Sequence, residues 1–280
     1  MAIKLRSFLL RALSTVVFLP LFYWVVKHLD VLWFAGLIAV VAILTAVELG
    51  NLVRHAGHRF YVFPAALLML MMIGSRIWTV LPFETVLAMG FVLILLWSIF
   101  GDGQVDTAME GAAHTLLGAL AMALPLSAMV ALKQYDSIPG GYAGMGADLV
   151  FTLFLVIWMG DTGAYLFGSM LGRHKLAPNI SPNKSIEGAV FNILFNVGGA
   201  TIAKLWFFHR LTWVDVAVIG LVIGGAGMVG DLIESLWKRK AGIKDSAGLI
   251  PGHGGLLDRL DSFILSTPLL YAYFRYVMLQ

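Results

Sequence analysis

About nine apolar runs punctuate this chain, at approximately 10–26, 31–53, 60–78, 80–99, 111–132, 148–171, 186–208, 213–237 and 260–278. Each is near the ~20 residues that carry an α-helix across a bilayer. That repetition leaves little room for any other architecture. Charged residues make up 12% of the 280 and apolar residues 60%, with a mean hydropathy of +0.88. A soluble domain carries about 25% charged residues. No polar stretch is long enough to fold by itself. The expectation is an all-α, polytopic integral membrane protein with about nine transmembrane helices. Residues 1–280 form a single membrane domain, with N-terminal spans in 1–147 and a C-terminal region, 148–280, that holds the chemistry. No sheet is expected, because open strand edges cannot be satisfied in lipid.

The N-terminus has the basic start and apolar run of a signal peptide, but no small-x-small cleavage site follows, and the run ends in Phe22, Tyr23 and Trp24. It reads as an uncleaved first span. Lys and Arg cluster at the start (Lys4, Arg6, Arg11) and in the second (Arg54, Arg59), sixth (Arg173, Lys175, Lys184) and eighth connections (Lys238, Arg239, Lys240, Lys244, Arg259). Nine spans put all four groups on one side, which the positive-inside rule makes cytoplasmic. Cysteine is absent, which excludes disulfides and thiolate ligands. A net charge of +3 is too small to imply nucleic acid.

Four stretches carry unusual chemistry for such a chain. In "WMGDTGAYLFGSMLG", residues 158–172, Asp161 sits mid-span with Tyr165 one turn away, and Gly160, Gly163, Gly168 and Gly172 thin one flank. A carboxylate at that depth costs at least ~2.5 kcal/mol on insertion scales and needs a partner, a cation or a wet cavity. The bland reading is a small-residue packing seam with one satisfied acid. In "GRHKLAPNISPNKSIEGAVF", residues 172–191, Ser181, Asn183 and Lys184 precede a helix start, where free N–H groups attract phosphate, and Lys175 adds a point charge. An ordinary basic loop would look the same. In "GAGMVGDLIESLWKR", residues 225–239, Asp231, Glu234, Ser235 and Lys238 recur at i, i+3, i+4 and i+7, one helix face that has to turn away from lipid. In "PGHGGLLDRLD", a glycine-rich turn with His253 precedes Asp258 and Asp261, three residues apart. Acids there could simply cap a helix start. Together with Asp231 they form the oxygen-only ligand set that suits Mg²⁺ holding phosphates. Glycines at 252, 254 and 255 would let backbone approach phosphate closely.

The segment from Ser235 to Asp261, "SLWKRKAGIKDSAGLIPGHGGLLDRLD", resembles the signature of the phosphatidate cytidylyltransferase family, the CDP-diacylglycerol synthases. It holds Ser-x-x-Lys-Arg, Lys-Asp-Ser, Pro-Gly-His-Gly-Gly and Asp-Arg-x-Asp in order. "DTGAY" at 161–165 and "SPNKSIEG" at 181–188 are similar to two further blocks of that family. Asn183 and Ser185 depart from the usual cation and threonine of the second. The resemblance implies an inner-membrane enzyme that makes CDP-diacylglycerol and pyrophosphate from CTP and phosphatidate, with Mg²⁺, a potassium ion as second metal, and a homodimer. It implies metal coordination by Asp231, Asp258 and Asp261, with Asp161 as a further ligand or a phosphate positioner. Lys238, Arg239, Lys244 and Arg259 would meet phosphate oxygens, and Ser181, Asn183 and Lys184 a substrate head group. His253 would contact phosphate or act as a base. Glu187, Ser235 and Asp245 stand inside the matching blocks and join Tyr165 and Lys175 on the substrate side. A CTP-dependent lipid-alcohol kinase would use similar parts. An ion-coupled transporter would explain the buried acids but not the glycine-histidine loop.

Overall fold

The computed structural model describes residues 20–78, 80–101, 105–137, 142–243 and 255–279. The chain runs through α1 (residues 20–28), α2 (Val31–His55), α3 (Val62–Ile77), α4 (Phe83–Phe100), α5 (Val105–Lys133), α6 (Met145–Leu171), α7 (Ile186–Trp206), α8 (Trp213–Lys240) and α9 (Phe263–Tyr273). A π-helical turn, Ile219–Ile223, interrupts α8, and another, Phe274–Met278, extends α9. Every apolar run from 31–53 onward carries a helix. Six of the described helices are long and apolar enough to cross a membrane: α2, α4, α5, α6, α7 and α8. α3, of 16 residues, and α9, of 11, are shorter than the spans expected at 60–78 and 260–278.

The boundaries follow local chemistry. The Asp30 carboxylate accepts the Val31 N–H at 2.6 Å and opens α2. Pro82, whose missing N–H costs nothing ahead of a helix, precedes α4. Asp136 accepts the N–H groups of Gly146 and Ala147 at 2.8 and 3.2 Å, capping α6 from a distance. Ser185 accepts from Gly188 at 3.1 Å and caps α7. Thr212 and Asp215 form a reciprocal capping box at the start of α8.

α5 is the most deeply buried of the six long helices and packs against α2, α3, α4, α6 and α9. α6 and α7 share the most extensive contact. It depends on glycine: Gly160 lies against Asn196, Gly163 against Phe195, Gly168 against Gly188, and Gly172 against Ser185. Small residues at such a seam let two backbones approach closely.

One expectation fails. Lys175–Ala177 (β1) and Ser181–Ser185 (β2) pair antiparallel in the connection between α6 and α7, Lys175 opposite Ser185 and Ala177 opposite Ser181. The lipid argument against strand edges holds inside spans only. This hairpin lies in a polar connection where Lys175, Pro182 and Asn183 are exposed, so water can satisfy its edges.

α8 passes so close to the segment before α9 that a Cβ at Gly230 would meet the Asp261 carbonyl oxygen, a backbone atom that cannot swing aside. Gly225 has open space around it. Gly230→Val should therefore lower stability by about 1–3 kcal/mol, seen as a reduced unfolding midpoint in detergent, whereas Gly225→Ala should not lower it.

Candidate active site at the end of the bundle

Three chain segments deliver charge to one place. α8 ends with Asp231, Glu234, Ser235 and Lys238 on a single face, as the three- and four-residue spacing requires. The short helix Leu257–Leu260 carries Asp258 and leads to Asp261. The β-hairpin contributes Lys184. One carboxylate oxygen from each of Asp231, Glu234 and Asp261 lies within 4.8 Å of the other two. Glu234 is fully buried and Asp231 and Asp261 are half-buried.

Two ammonium groups knit these acids together. Lys184 reaches Asp231 at 2.6 Å. Lys238 reaches Glu234 at 2.5 Å and Asp258 at 2.9 Å. Ser235 adds a long 3.4 Å hydrogen bond to Asp231. Asp258 also accepts the Gly255 N–H at 3.0 Å. Burial alone would raise the Asp258 carboxyl, but hydrogen bonds with Glu234, Lys238 and the Gly255 N–H overcome it and hold the group at about 2. Asp258 is thus ionised and committed to Lys238. Asp261 accepts the Ser262 N–H at 2.6 Å. Asp161 is exposed on α6, where Asp231 repels it and Lys184 attracts it. Acids outnumber cations in this group, and a divalent cation would correct the imbalance.

The site residues read from the sequence sort unevenly. Asp231, Asp261, Asp161, Lys184, Lys238 and Ser235 converge. Asp258 joins them through Lys238, and Glu234 takes the third place in the oxygen cluster that was expected of Asp258. Arg239 donates from Nε to the Ile180 carbonyl at 3.1 Å, tying the end of α8 to the hairpin turn. Glu187 accepts from the N–H groups of Arg173 and His174 and meets the His174 ring at 2.7 Å, so it braces the hairpin's base. Tyr165, Lys175, Asn183 and Arg259 are exposed, and Ser181 is half-buried on β2. Lys244, Asp245, Gly252, His253 and Gly254 lie outside the described residues; Gly255 is buried at the mouth of the short helix.

Sequence reasoning missed Glu48. It is fully buried on α2, and its two carboxylate oxygens accept the Leu256 N–H at 2.9 Å and the Leu257 N–H at 2.7 Å. Free N–H groups at a helix start attract negative charge. Glu48 therefore pins the short helix that carries Asp258, from more than two hundred residues upstream.

The sequence matches the model of the cytidylyltransferase family over residues 9–277. The chain belongs to the cytidylyltransferase family. Among curated relatives, the phosphatidate cytidylyltransferase of Staphylococcus aureus is 46% identical over 127 residues, which cover 45% of this chain and 48% of the relative. Those of Staphylococcus epidermidis and Staphylococcus saprophyticus are 44% and 43% identical over 126 residues, with the same coverage. The chain spans about half the length of the curated relatives it matches. For this cytidylyltransferase-family chain the acids and lysines described above lie within the matched model.

Glu48→Gln keeps the shape but turns an NH₂ group toward one of the two backbone donors. Hydrogen bonds to a charged group contribute about 1.5–3 kcal/mol. The variant should lose about that much stability, read from unfolding in detergent, and Glu48→Ala should lose at least as much.

Proposed function

We propose that this chain is a phosphatidate cytidylyltransferase. It would convert CTP and phosphatidate to CDP-diacylglycerol and pyrophosphate with Mg²⁺, at the cytoplasmic face of a bacterial inner membrane, within phospholipid synthesis. The observation that carries this reading is the oxygen cluster of Asp231, Glu234 and Asp261 meeting Lys184 and Lys238 at the end of apolar helices. That is where a soluble nucleotide and a membrane lipid can meet.

The donor set fits the metal. Asp231, Glu234 and Asp261 offer carboxylate oxygens only, with no imidazole or thiolate among them, the hard ligands that Mg²⁺ takes alongside substrate phosphates. These three residues would hold Mg²⁺, with the potassium ion implied by the signature as its companion. Mg²⁺ bound there would supply positive charge against the phosphates of two polyanions and the departing pyrophosphate.

The phosphatidate phosphate is already ionised at neutral pH, so no residue has to act as a strong base. One of its oxygens bonds to the α-phosphorus of CTP while the bond from that phosphorus to the pyrophosphate oxygen breaks. The chain's task is positioning and charge. Lys184 on the hairpin and Lys238 on α8 bring ammonium groups to the acids. Asp258 holds Lys238 in place, and Glu48 holds the segment that carries Asp258. Asp161 faces the same charges from α6. The homodimer and the roles of Lys244, Arg259 and His253 at phosphate follow from the same resemblance.

Purified protein in detergent, given labelled CTP, phosphatidate and Mg²⁺, should put label into lipid and release pyrophosphate in equal amount. EDTA should stop the reaction and Mg²⁺ restore it. Asp261→Asn should lower turnover about a hundredfold while the protein remains folded. Release of CDP with a phosphorylated lipid alcohol, or near-normal turnover in Asp261→Asn, would contradict the proposal.

A further inference from the structure

A second cluster of metal-ligating side chains stands apart from the acids of α8. His58 lies in the connection between α2 and α3, and Glu110 and His114 lie one turn apart on α5. One ligand atom from each comes within 4.8 Å of the other two. His58 Nδ1 and Glu110 Oε1 are 2.5 Å apart. The two imidazole rings sit 4.6 Å centroid to centroid, tilted by 34°. His114 Nδ1 is buried and has no hydrogen-bond partner.

The backbone around the cluster is fixed. Gly57, at φ 82°, turns the chain out of α2, a left-handed conformation that glycine adopts without strain. The Tyr61 N–H donates to Thr115 Oγ1 at 2.8 Å, and Thr115 Oγ1 donates to the Gly111 carbonyl at 2.7 Å. The connection is thereby laid onto the same helix that carries Glu110 and His114. A simple ion pair needs one histidine and one carboxylate. Here a second imidazole is drawn against the first, with a ring nitrogen turned away from water and left without a partner.

We propose that His58, Glu110 and His114 form a binding site for a borderline divalent metal ion of the zinc class. Two imidazoles with one carboxylate select such ions over Mg²⁺ and Ca²⁺, which prefer oxygen throughout. Binding would displace the proton between His58 and Glu110 and give the buried nitrogen of His114 a partner. Its consequence is mechanical. The ion would staple the α2–α3 connection to α5, just beyond the end of the helix from which Glu48 holds Leu256 and Leu257. The inference does not depend on the reaction proposed above.

The full chain in detergent, stripped with a chelator and kept in excess Mg²⁺ to occupy the oxygen cluster, is equilibrated with Zn²⁺ and desalted. It should retain about one zinc per chain, and Asp261→Asn should retain as much. His58→Ala and His114→Ala should bind at least about tenfold more weakly, since losing even an outer-shell partner of a metal ligand typically costs about 10–100-fold in affinity. Zinc should raise the unfolding midpoint of the unaltered protein and not that of the double variant, His58→Ala with His114→Ala. X-ray absorption on the unaltered zinc adduct should show two imidazole nitrogens, a readout that needs no variant to fold. Zinc retention no greater than that of the double variant, or a first coordination shell of oxygen alone, would overturn the proposal.

Discussion

A carboxylate inside a membrane span is costly unless it finds a partner, and α8 alone carries Asp231 and Glu234 on one face. Two lysines from different elements offset that cost. Lys184 comes from the hairpin to Asp231, and Lys238 bridges Glu234 to Asp258 across twenty residues of chain. Because the Lys184–Asp231 and Lys238–Asp258 pairs join separate segments, neutralising charge and assembling the site are one event. Removing Lys238 would strand the buried Glu234, which is far more costly than never having built the pair. The hairpin, the end of α8 and the short helix are consequently held as a unit, and the close passage of Gly230 against Asp261 completes it.

The N-terminal helices are more than a hydrophobic anchor. α2 sends Glu48 to the first N–H groups of the short helix, and α5 supports α2, α3 and α9 together. A family model that runs from residue 9 to 277 is consistent with this dependence. The helices that lack overt chemistry fix the position of those that have it.

Much of this was legible in the sequence, for physical reasons. The period of apolar runs specified the helices because lipid tolerates no other open backbone. The i, i+3, i+4, i+7 spacing in α8 specified that Asp231, Glu234, Ser235 and Lys238 share a face, since helix geometry alone decides it. The partners across the chain were not legible. Nothing local distinguishes Lys184, which reaches Asp231, from Lys175, which stays exposed. The spacing of Asp258 and Asp261 did not reveal that one would pair with Lys238 and the other join the oxygen cluster. Glu48 could have been found by the reasoning applied to Asp161, an acid inside an apolar run, but a single acid near the end of a span drew no notice. The hairpin was missed because a rule for lipid-facing backbone was extended to a polar connection.

The central claim is that cross-segment lysine–carboxylate pairs hold the site together. A double-mutant cycle on Lys238 and Asp258, followed by reversible unfolding in mixed micelles, tests it most directly. The account predicts that Lys238→Met and Asp258→Asn each lower stability and that the double variant loses less than the two combined, with a coupling of about 1–3 kcal/mol. Additive losses, equal within about 0.5 kcal/mol, would show that the two residues stand side by side without supporting one another.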